Sequence, residues 1–125
     1  MAAMKKQTAA VLAMALACGV AWGDGNPKRF AGYRTEPPPM SASRYDPVFS
    51  DLVVAETASH ALVRQDAGTS CAAGNFLLFN KRDKTHRAVD AGTCDDRGLM
   101  AKLTADRLTF FQGKRIVAMY PVYAQ

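Results

Sequence analysis

The chain has 125 residues, of which 22% are charged, and its 16 lysines and arginines against 11 aspartates and glutamates give a formal net charge of +5. This length leaves room for one small domain and excludes a large two-domain enzyme. The excess of positive charge is mild, so it supports neither a nucleic-acid-binding protein, which needs a clustered basic face, nor an acidic interaction tail.

Residues 1–23 have the pattern of a secretory signal peptide. Two lysines near the start precede an uncharged apolar stretch over residues 9–20, and small residues near the end favour cleavage before Asp24. The remaining chain would carry 14 basic and 11 acidic residues, a net charge of +3. The apolar stretch is too short to cross a hydrocarbon core of about 30 Å. We therefore expect a periplasmic or secreted protein without a transmembrane segment in the mature chain.

Lipid attachment at Cys18 is an alternative to simple cleavage. The sequence Leu16-Ala17-Cys18 is similar to a lipobox, although Ala15 stands where a larger aliphatic residue is usual. In that case the protein would be a purely structural envelope lipoprotein anchored at Cys18.

Residues 24–45 are rich in proline and have almost no periodic apolar pattern, which predicts a flexible N-terminal arm or linker before a small β-domain at residues 46–125. The arm contains Phe30, Tyr33 and Arg34. Aromatic and arginine side chains dominate protein interfaces, so these three are candidate partner contacts. The alternative is an arm that packs back on its own domain.

The first part of the predicted domain combines two signals. Asp46 followed by Pro47 favours the start of a short helical turn, whereas Leu52-Val53-Val54 favours a strand after that turn. A second strand is predicted over residues 61–64, which are apolar and β-branched and lie before turn-forming residues.

The central segment has the pattern of a β-hairpin. Residues 75–80 and 85–90 flank a polar turn of four residues, and a turn centred on Arg82 and Asp83 would place Phe79 opposite His86. Because residues 76–79 are apolar on both sides of the strand, we expect this strand to be central and covered on both faces.

The same turn centre would place Cys71 opposite Cys94, where their Cα atoms can approach to the range of about 4.4 to 6.8 Å that a disulfide needs. In an oxidising compartment this even pair predicts a structural disulfide. A disulfide that closes the loop between these two cysteines stabilises the fold by about 3.4 kcal/mol by the chain-entropy relation.

Three further strands are predicted over residues 99–103, 108–111 and 115–120, and their short connections favour antiparallel neighbours. The predicted fold class is therefore mainly β. It is a small antiparallel β-meander of about five to seven strands, folded as a sandwich or open barrel, with one disulfide and the N-terminal arm.

A weak catalytic pattern surrounds Ser70. Its neighbours loosely match a Gly-x-Ser-x-Ala nucleophile elbow, for which His86 and Asp90 could act as base and orienting group. The residues after Ser70 lead into a strand rather than a helix, and the chain is too short for the sheet that such an elbow requires. A small hydrolase is therefore an alternative and not the expectation.

The remaining polar residues do not form a metal or cofactor motif. The chain has no His-x-x-x-His or Cys-x-x-Cys pattern, and no phosphate-binding loop or dinucleotide fingerprint. We expect no metal and no cofactor. The individual candidates for metal ligands are His60, His86, Asp90, Asp95 and Asp96.

The stretch from His60 to Cys71, the apolar strand after it and Ala91-Gly-Thr-Cys94 together resemble small uncharacterised exported proteins of Gram-negative bacteria. In these proteins a strand leads into Gly-x-x-Cys, a hairpin follows, and Gly-x-Cys closes the unit. The resemblance covers residues 60–96, about a third of the chain. It implies a disulfide-closed β unit and an envelope location, and it implies no activity.

Together these patterns favour a non-enzymatic periplasmic or secreted β-domain that binds another envelope macromolecule, a protein or a glycan, as an inhibitor or an accessory. The alternatives are the hydrolase that uses Ser70 and the lipoprotein anchored at Cys18.

Overall fold

The computed structural model describes residues 25–36 and 43–123. Eight β-strands and two short 3-10 helices, Pro27–Phe30 and Gly68–Ser70, make up its regular structure. The prediction of a mainly β protein is confirmed. The predicted signal peptide, with Cys18, lies outside the described residues. No helix within those residues is long and apolar enough to span a membrane.

Five strands form the first sheet, in the spatial order β1-β5-β4-β3-β2. The four longer strands pair antiparallel, and the short β1 adds to the edge parallel to β5. The strands are β1 (Arg34–Thr35), β2 (Leu52–Glu56), β3 (His60–Gln65), β4 (Asn75–Asn80) and β5 (Thr85–Val89).

The second sheet has three antiparallel strands in the order β6-β7-β8, as the short connections predict. They are β6 (Leu99–Leu103), β7 (Arg107–Gln112) and β8 (Arg115–Pro121). The described residues contain eight strands, one more than the upper end of the predicted five to seven. The additional strand is β1, which lies before residue 46 and therefore outside the predicted β-domain.

The central hairpin has the predicted register. Phe79 pairs with His86 and Leu77 with Ala88, and β4 is the middle strand of its sheet. The Cys71–Cys94 disulfide is present, with its Cα atoms 4.7 Å apart. The hairpin and the disulfide are thus one unit, in which strand pairing brings the two cysteines together.

The inner core lies between the two sheets. Phe76 from β4 meets Phe110 from β7 edge-on, with ring centroids 5.0 Å apart. Ala91 after β5 and Val122 after β8 are buried beside this contact. The buried apolar residues from the strands around it are Ala55, Leu62, Leu78, Leu103 and Leu108. The alternation of each strand points these residues to the same side of its sheet.

The opposite face of the five-stranded sheet is covered by the chain that precedes β2. The Phe30 ring stacks on the Phe79 ring at 5.0 Å, and the Tyr45 ring meets Phe79 edge-on at 4.8 Å. The described parts of residues 24–45 are therefore packed against the domain, which differs from the predicted linker. The physical reason is that β4 is apolar on both faces, so its second face needs a cover.

The residues just before β2 form a single turn and not a helical segment. The backbone N–H of Asp51 donates to the carbonyl of Val48, and the Asp51 carboxylate accepts from the hydroxyl of Tyr45. These bonds close the turn, and β2 begins at the next residue, Leu52. The predicted strand is confirmed, whereas the predicted helical turn is reduced to this one turn.

Candidate functional site

The strongest candidate site is the outward side of the three-stranded sheet. Because side chains alternate along a strand, Leu103, Leu108 and Phe110 enter the inner core and their neighbours point outward. We call this outward surface the outer face, and it consists of Met100, Lys102, Thr109, Phe111, Ile116 and Met119.

An apolar row crosses all three strands on the outer face. Met100 pairs with Phe111, and Phe111 pairs with Ile116 on the other side. Met100 is 67% exposed, Ile116 is 53% exposed, and the adjacent Met119 is 49% exposed. Single exposed apolar residues are ordinary, but a contiguous group on a rigid sheet is typical of a surface that another molecule covers.

Positive charge surrounds the apolar row. Lys102 and Arg107 lie on the outer side of β6 and β7, and Lys114 and Arg115 lie at the turn into β8. Within the described chain, none of these four cations forms an ion pair, and Asp106 is the single acidic residue between positions 99 and 121. The outer face therefore combines apolar contact area with a cationic rim.

The outer face was not predicted from the sequence, although a signal for it was present. Met100, Phe111, Ile116 and Met119 occupy the positions that alternate with the core residues. Apolar residues at both sets of positions predict a strand covered on both faces. In β4 the same signal led to a correct prediction.

The residues predicted to contact a partner have different environments. Phe30 is 2% exposed and belongs to the chain's own core, so its side chain is not available at the surface. Tyr33 is half-buried with its ring edge against Phe30, whereas Arg34 is exposed. For these aromatics the structure has the alternative arrangement, in which the arm packs on its own domain.

No hydrogen bond in the described chain connects the residues of the weak catalytic pattern. The Ser70 hydroxyl donates to the carbonyl of Ala67 at 2.8 Å, and the Asp90 carboxylate accepts from the backbone of Gly92. The ring of His86 lies against Phe79, and neither ring nitrogen has a hydrogen-bond partner among the residues that the structure describes. The geometry does not bring a base to the Ser70 hydroxyl.

Both histidines are buried and held neutral. Burial lowers the pKa of His86 below its ordinary value. Burial, followed by the positive charges of Arg87 and Arg82, lowers the pKa of His60. The His60 ring contacts the Tyr123 ring edge-on at 5.0 Å. Both side chains are thus core residues of the domain.

The candidate metal ligands do not converge. Over residues 25–36 and 43–123, the structure has no group of three or more histidine, cysteine, aspartate or glutamate side chains placed to hold a metal ion. The carboxylate of Asp95 is bound by the side chain and backbone of Arg97, and these hydrogen bonds lower its pKa to about 2. Asp95 is therefore engaged with its neighbour.

A function for this chain has to be inferred from its sheets, its disulfide and its outer face. No residue role can be transferred from a relative. The chain matches no protein-family model, no curated protein and no solved structure.

Proposed function

We propose that this chain is a non-enzymatic, exported β-domain that binds an acidic protein of the bacterial envelope through its outer face, as an inhibitor or an accessory. The observation that carries the proposal is the apolar row of Met100, Phe111 and Ile116, which is exposed at both ends and is surrounded by cations that form no ion pair within the described residues.

The composition of the face favours a protein partner. Methionine and aromatic residues are enriched in the centres of protein interfaces, and methionine adapts its shape to the surface that it meets. The backbone of the three strands is hydrogen-bonded across the whole sheet, so binding does not have to order the chain. Removing the apolar row from water would then contribute directly to affinity.

The charges favour an acidic partner over a second copy of this chain. Two copies that met through their outer faces would bring Lys102 and Arg107 of one close to the same residues of the other, and like charges in an interface are costly. An acidic surface would instead be attracted over a distance of about 8 Å at physiological ionic strength. The proposed partner therefore has an apolar patch with carboxylates around it.

Export is supported by the sequence and by the disulfide. The leader over residues 1–23 and the resemblance to exported Gram-negative proteins both favour the envelope. Structural disulfides persist in oxidising compartments, and Cys71 is paired with Cys94 here. Attachment of a lipid at Cys18 would anchor the same binding domain to a membrane.

Site-specific photo-crosslinking in living cells tests the proposal. A photo-reactive residue at position 119 samples the outer face, and one at the exposed Ala58, in the β2–β3 turn, is the matched control. We expect one protein adduct from position 119 and none from position 58. Substitution of Lys102→Glu together with Arg107→Glu should reduce that adduct about tenfold or more, because it opposes an acidic partner.

The composition of the adduct decides the outcome. An acidic envelope protein that is lost on charge reversal supports the proposal. Adducts only with lipid, with glycan or with a second copy of this chain would overturn it, as would an adduct that forms equally well from both positions.

A further inference from the structure

The middle of the outer face is concave. A depression of about 420 Å³ lies there, and Thr109 of β7 is at its centre. Thr109 is flanked across the sheet by Lys102 and Met119, and two positions away along β7 by Arg107 and Phe111, all of which line the depression. A short side chain inside a ring of longer ones leaves a hollow above it. The ring covers most of Thr109, which is 8% exposed.

The two ends of the depression differ in chemistry. Lys102 and Arg107 lie at the end next to the β6–β7 turn, and Phe111 and Ile116 lie at the end next to the β7–β8 turn. Two positions along a strand span about 7 Å, so the cationic end and the apolar end are about one side chain apart. A ligand that fills both ends therefore carries a negative group next to an apolar group.

The β6–β7 turn fixes the backbone at the cationic end. The backbone N–H of Thr104 donates to the carbonyl of Arg107 at 2.9 Å, and the Thr104 hydroxyl accepts from the backbone N–H of Arg107 at 3.2 Å. Neither Lys102 nor Arg107 forms an ion pair with a residue that the structure describes. Among the described residues that line the depression, Asp106 is the single carboxylate. Two cations against one carboxylate leave this end positive.

Thr109 adds a hydrogen-bonding group to the centre of the depression. Its hydroxyl forms no hydrogen bond within residues 25–36 and 43–123. A polar side chain this buried is normally paired, and a hydroxyl can donate one hydrogen bond. A carboxylate accepts several hydrogen bonds at once, and those from cations are the strongest. The Thr109 hydroxyl and the Lys102 ammonium group, on directly paired residues, suit the two oxygens of one carboxylate.

The site fits a carboxylate better than a phosphate. Proteins commonly hold phosphates with backbone N–H groups that have no partner in the chain. Thr109 and its neighbours in β7 pair with β6 on one side and with β8 on the other, so their backbone groups are used within the sheet. The side chains alone supply one net positive charge, which matches a single negative charge.

We propose that this depression binds an acidic side chain of the partner protein together with the apolar side chain next to it. The inference rests on the proposed function and names the group that the outer face recognises. The carboxylate accepts from the Thr109 hydroxyl and from Lys102 or Arg107, and its apolar neighbour contacts Phe111 and Ile116. The partner is thus recognised by one placed carboxylate, and not by diffuse charge alone.

Two small peptides test the site without the unidentified partner. The probes are leucine–glutamate and leucine–glutamine, both N-acetylated and C-amidated, so the glutamate carboxylate is the only charge. Ile116 is the only isoleucine of the chain, so isotope-labelled isoleucine gives one methyl signal at the depression in nuclear magnetic resonance. We expect the glutamate peptide to shift this signal with a dissociation constant of about 10 mM or below, and the glutamine peptide to bind about tenfold more weakly.

Variants of the purified protein assign the contacts. Thr109→Val removes the hydroxyl and should weaken binding of the glutamate peptide about fivefold, whereas Thr109→Ser should retain it. Lys102→Met should weaken binding about tenfold. Lys114→Met is the matched control, because it removes the same charge outside the depression, and binding should stay within about twofold. Asp106→Asn should strengthen binding, since it removes a like charge.

Three results would overturn the inference. The first is an equal response to the two peptides, and the second is an equal loss of binding in Lys102→Met and Lys114→Met. The third comes from octanoate, a carboxylate on a lipid chain. A shift of the Ile116 signal with octanoate and with neither peptide would assign the depression to lipid carboxylates.

Failure of the proposed function gives a different pattern. Glutamate-dependent binding in the depression, without a protein adduct in the photo-crosslinking experiment, would retain the carboxylate site and exclude the envelope partner. An adduct that persists in Thr109→Val and Lys102→Met, together with no preference for the glutamate peptide, would retain the partner and exclude this site.

Discussion

The two sheets of this domain differ in whether other parts of the chain cover their outward faces. On the five-stranded sheet, Phe30 and Tyr45 cover the ring of Phe79, which is completely buried. On the three-stranded sheet, Met100 and Ile116 remain mostly exposed. Both faces carry apolar side chains, so residue type alone does not determine which of them becomes core.

The difference lies in which part of the chain returns to each face. The segment before β2 is attached at both edges of the five-stranded sheet: β1 pairs with β5, and Arg29 pairs with Glu56 beside β2. Its aromatic side chains are held between these two attachments. No described segment packs against the outer face of the three-stranded sheet in this way. Cations that form no ion pair within the described residues surround its apolar row. A covered face stabilises the fold, whereas a bare face is available to a partner.

Removal of the Phe79 ring should have the largest effect on stability. Phe79→Ala leaves Phe30, Tyr45 and His86 around a cavity, so the free energy of unfolding should fall by about 3 to 5 kcal/mol in a urea titration. The matched change on the bare face, Phe111→Ala, should cost no more than about 1 kcal/mol. Equal losses from the two substitutions would show that the outer face of the three-stranded sheet is covered to the same extent as that of the five-stranded sheet.

Removal of the disulfide should have the next largest effect. The bond joins the connection before β4 to the connection before β6, and the double substitution Cys71→Ser and Cys94→Ser should lower the free energy of unfolding by about 2 to 4 kcal/mol. Denaturation with and without a reducing agent checks this directly. Ser70→Ala is the neighbouring control, since its hydroxyl contacts only a backbone carbonyl, and a comparable loss there would contradict the structural role of the bond.

A smaller effect is expected from acid on the covered face. Burial lowers the pKa of His86 below its ordinary value of 6.5. As the pH falls through 6.5, the unfolded chain binds a proton that the folded chain does not, so the free energy of unfolding decreases with falling pH. The decrease ends below the folded-state pKa.

The variant His86→Leu identifies this contribution. It should flatten the dependence of unfolding free energy on pH between neutrality and the acid range, as measured by urea titrations at each pH. An unchanged slope would mean that His86 is not the group responsible.

The smallest change in stability is predicted for the outer face. Ile116→Thr and Met119→Gln should each alter the free energy of unfolding by no more than about 0.5 kcal/mol, because both residues keep about half of their surface exposed in the folded state. The buried Leu103 gives the contrast, and Leu103→Gln should cost several times more. A large loss at Ile116 or Met119 would show that this face is covered within the domain.

The central hairpin and its disulfide could be predicted because their signals are local. Phe79 and His86 are seven positions apart along the chain, and their pairing follows from the midpoint of one turn. The same midpoint places Cys71 beside Cys94. The strands of the second sheet are also joined by short turns, which leave few alternatives to antiparallel neighbours.

The packing of the arm could not be predicted in the same way. Phe30 and Phe79 are distant in sequence, and the proline-rich segment between residues 24 and 45 has no apolar period that would reveal a buried face. The candidate partner contacts lie in that segment, but the exposed apolar row lies on the outer face of the three-stranded sheet. Only the folded chain shows that Phe30 is used internally.

The amino-acid sequence by itself determined the mainly β class, the register of the central hairpin and the pairing of the two cysteines, because a strand period of two and short turns act between neighbours in the chain. The tertiary structure decided which apolar surface is covered and which is exposed. Those outcomes depend on contacts between distant segments, whose arrangement no local pattern encodes.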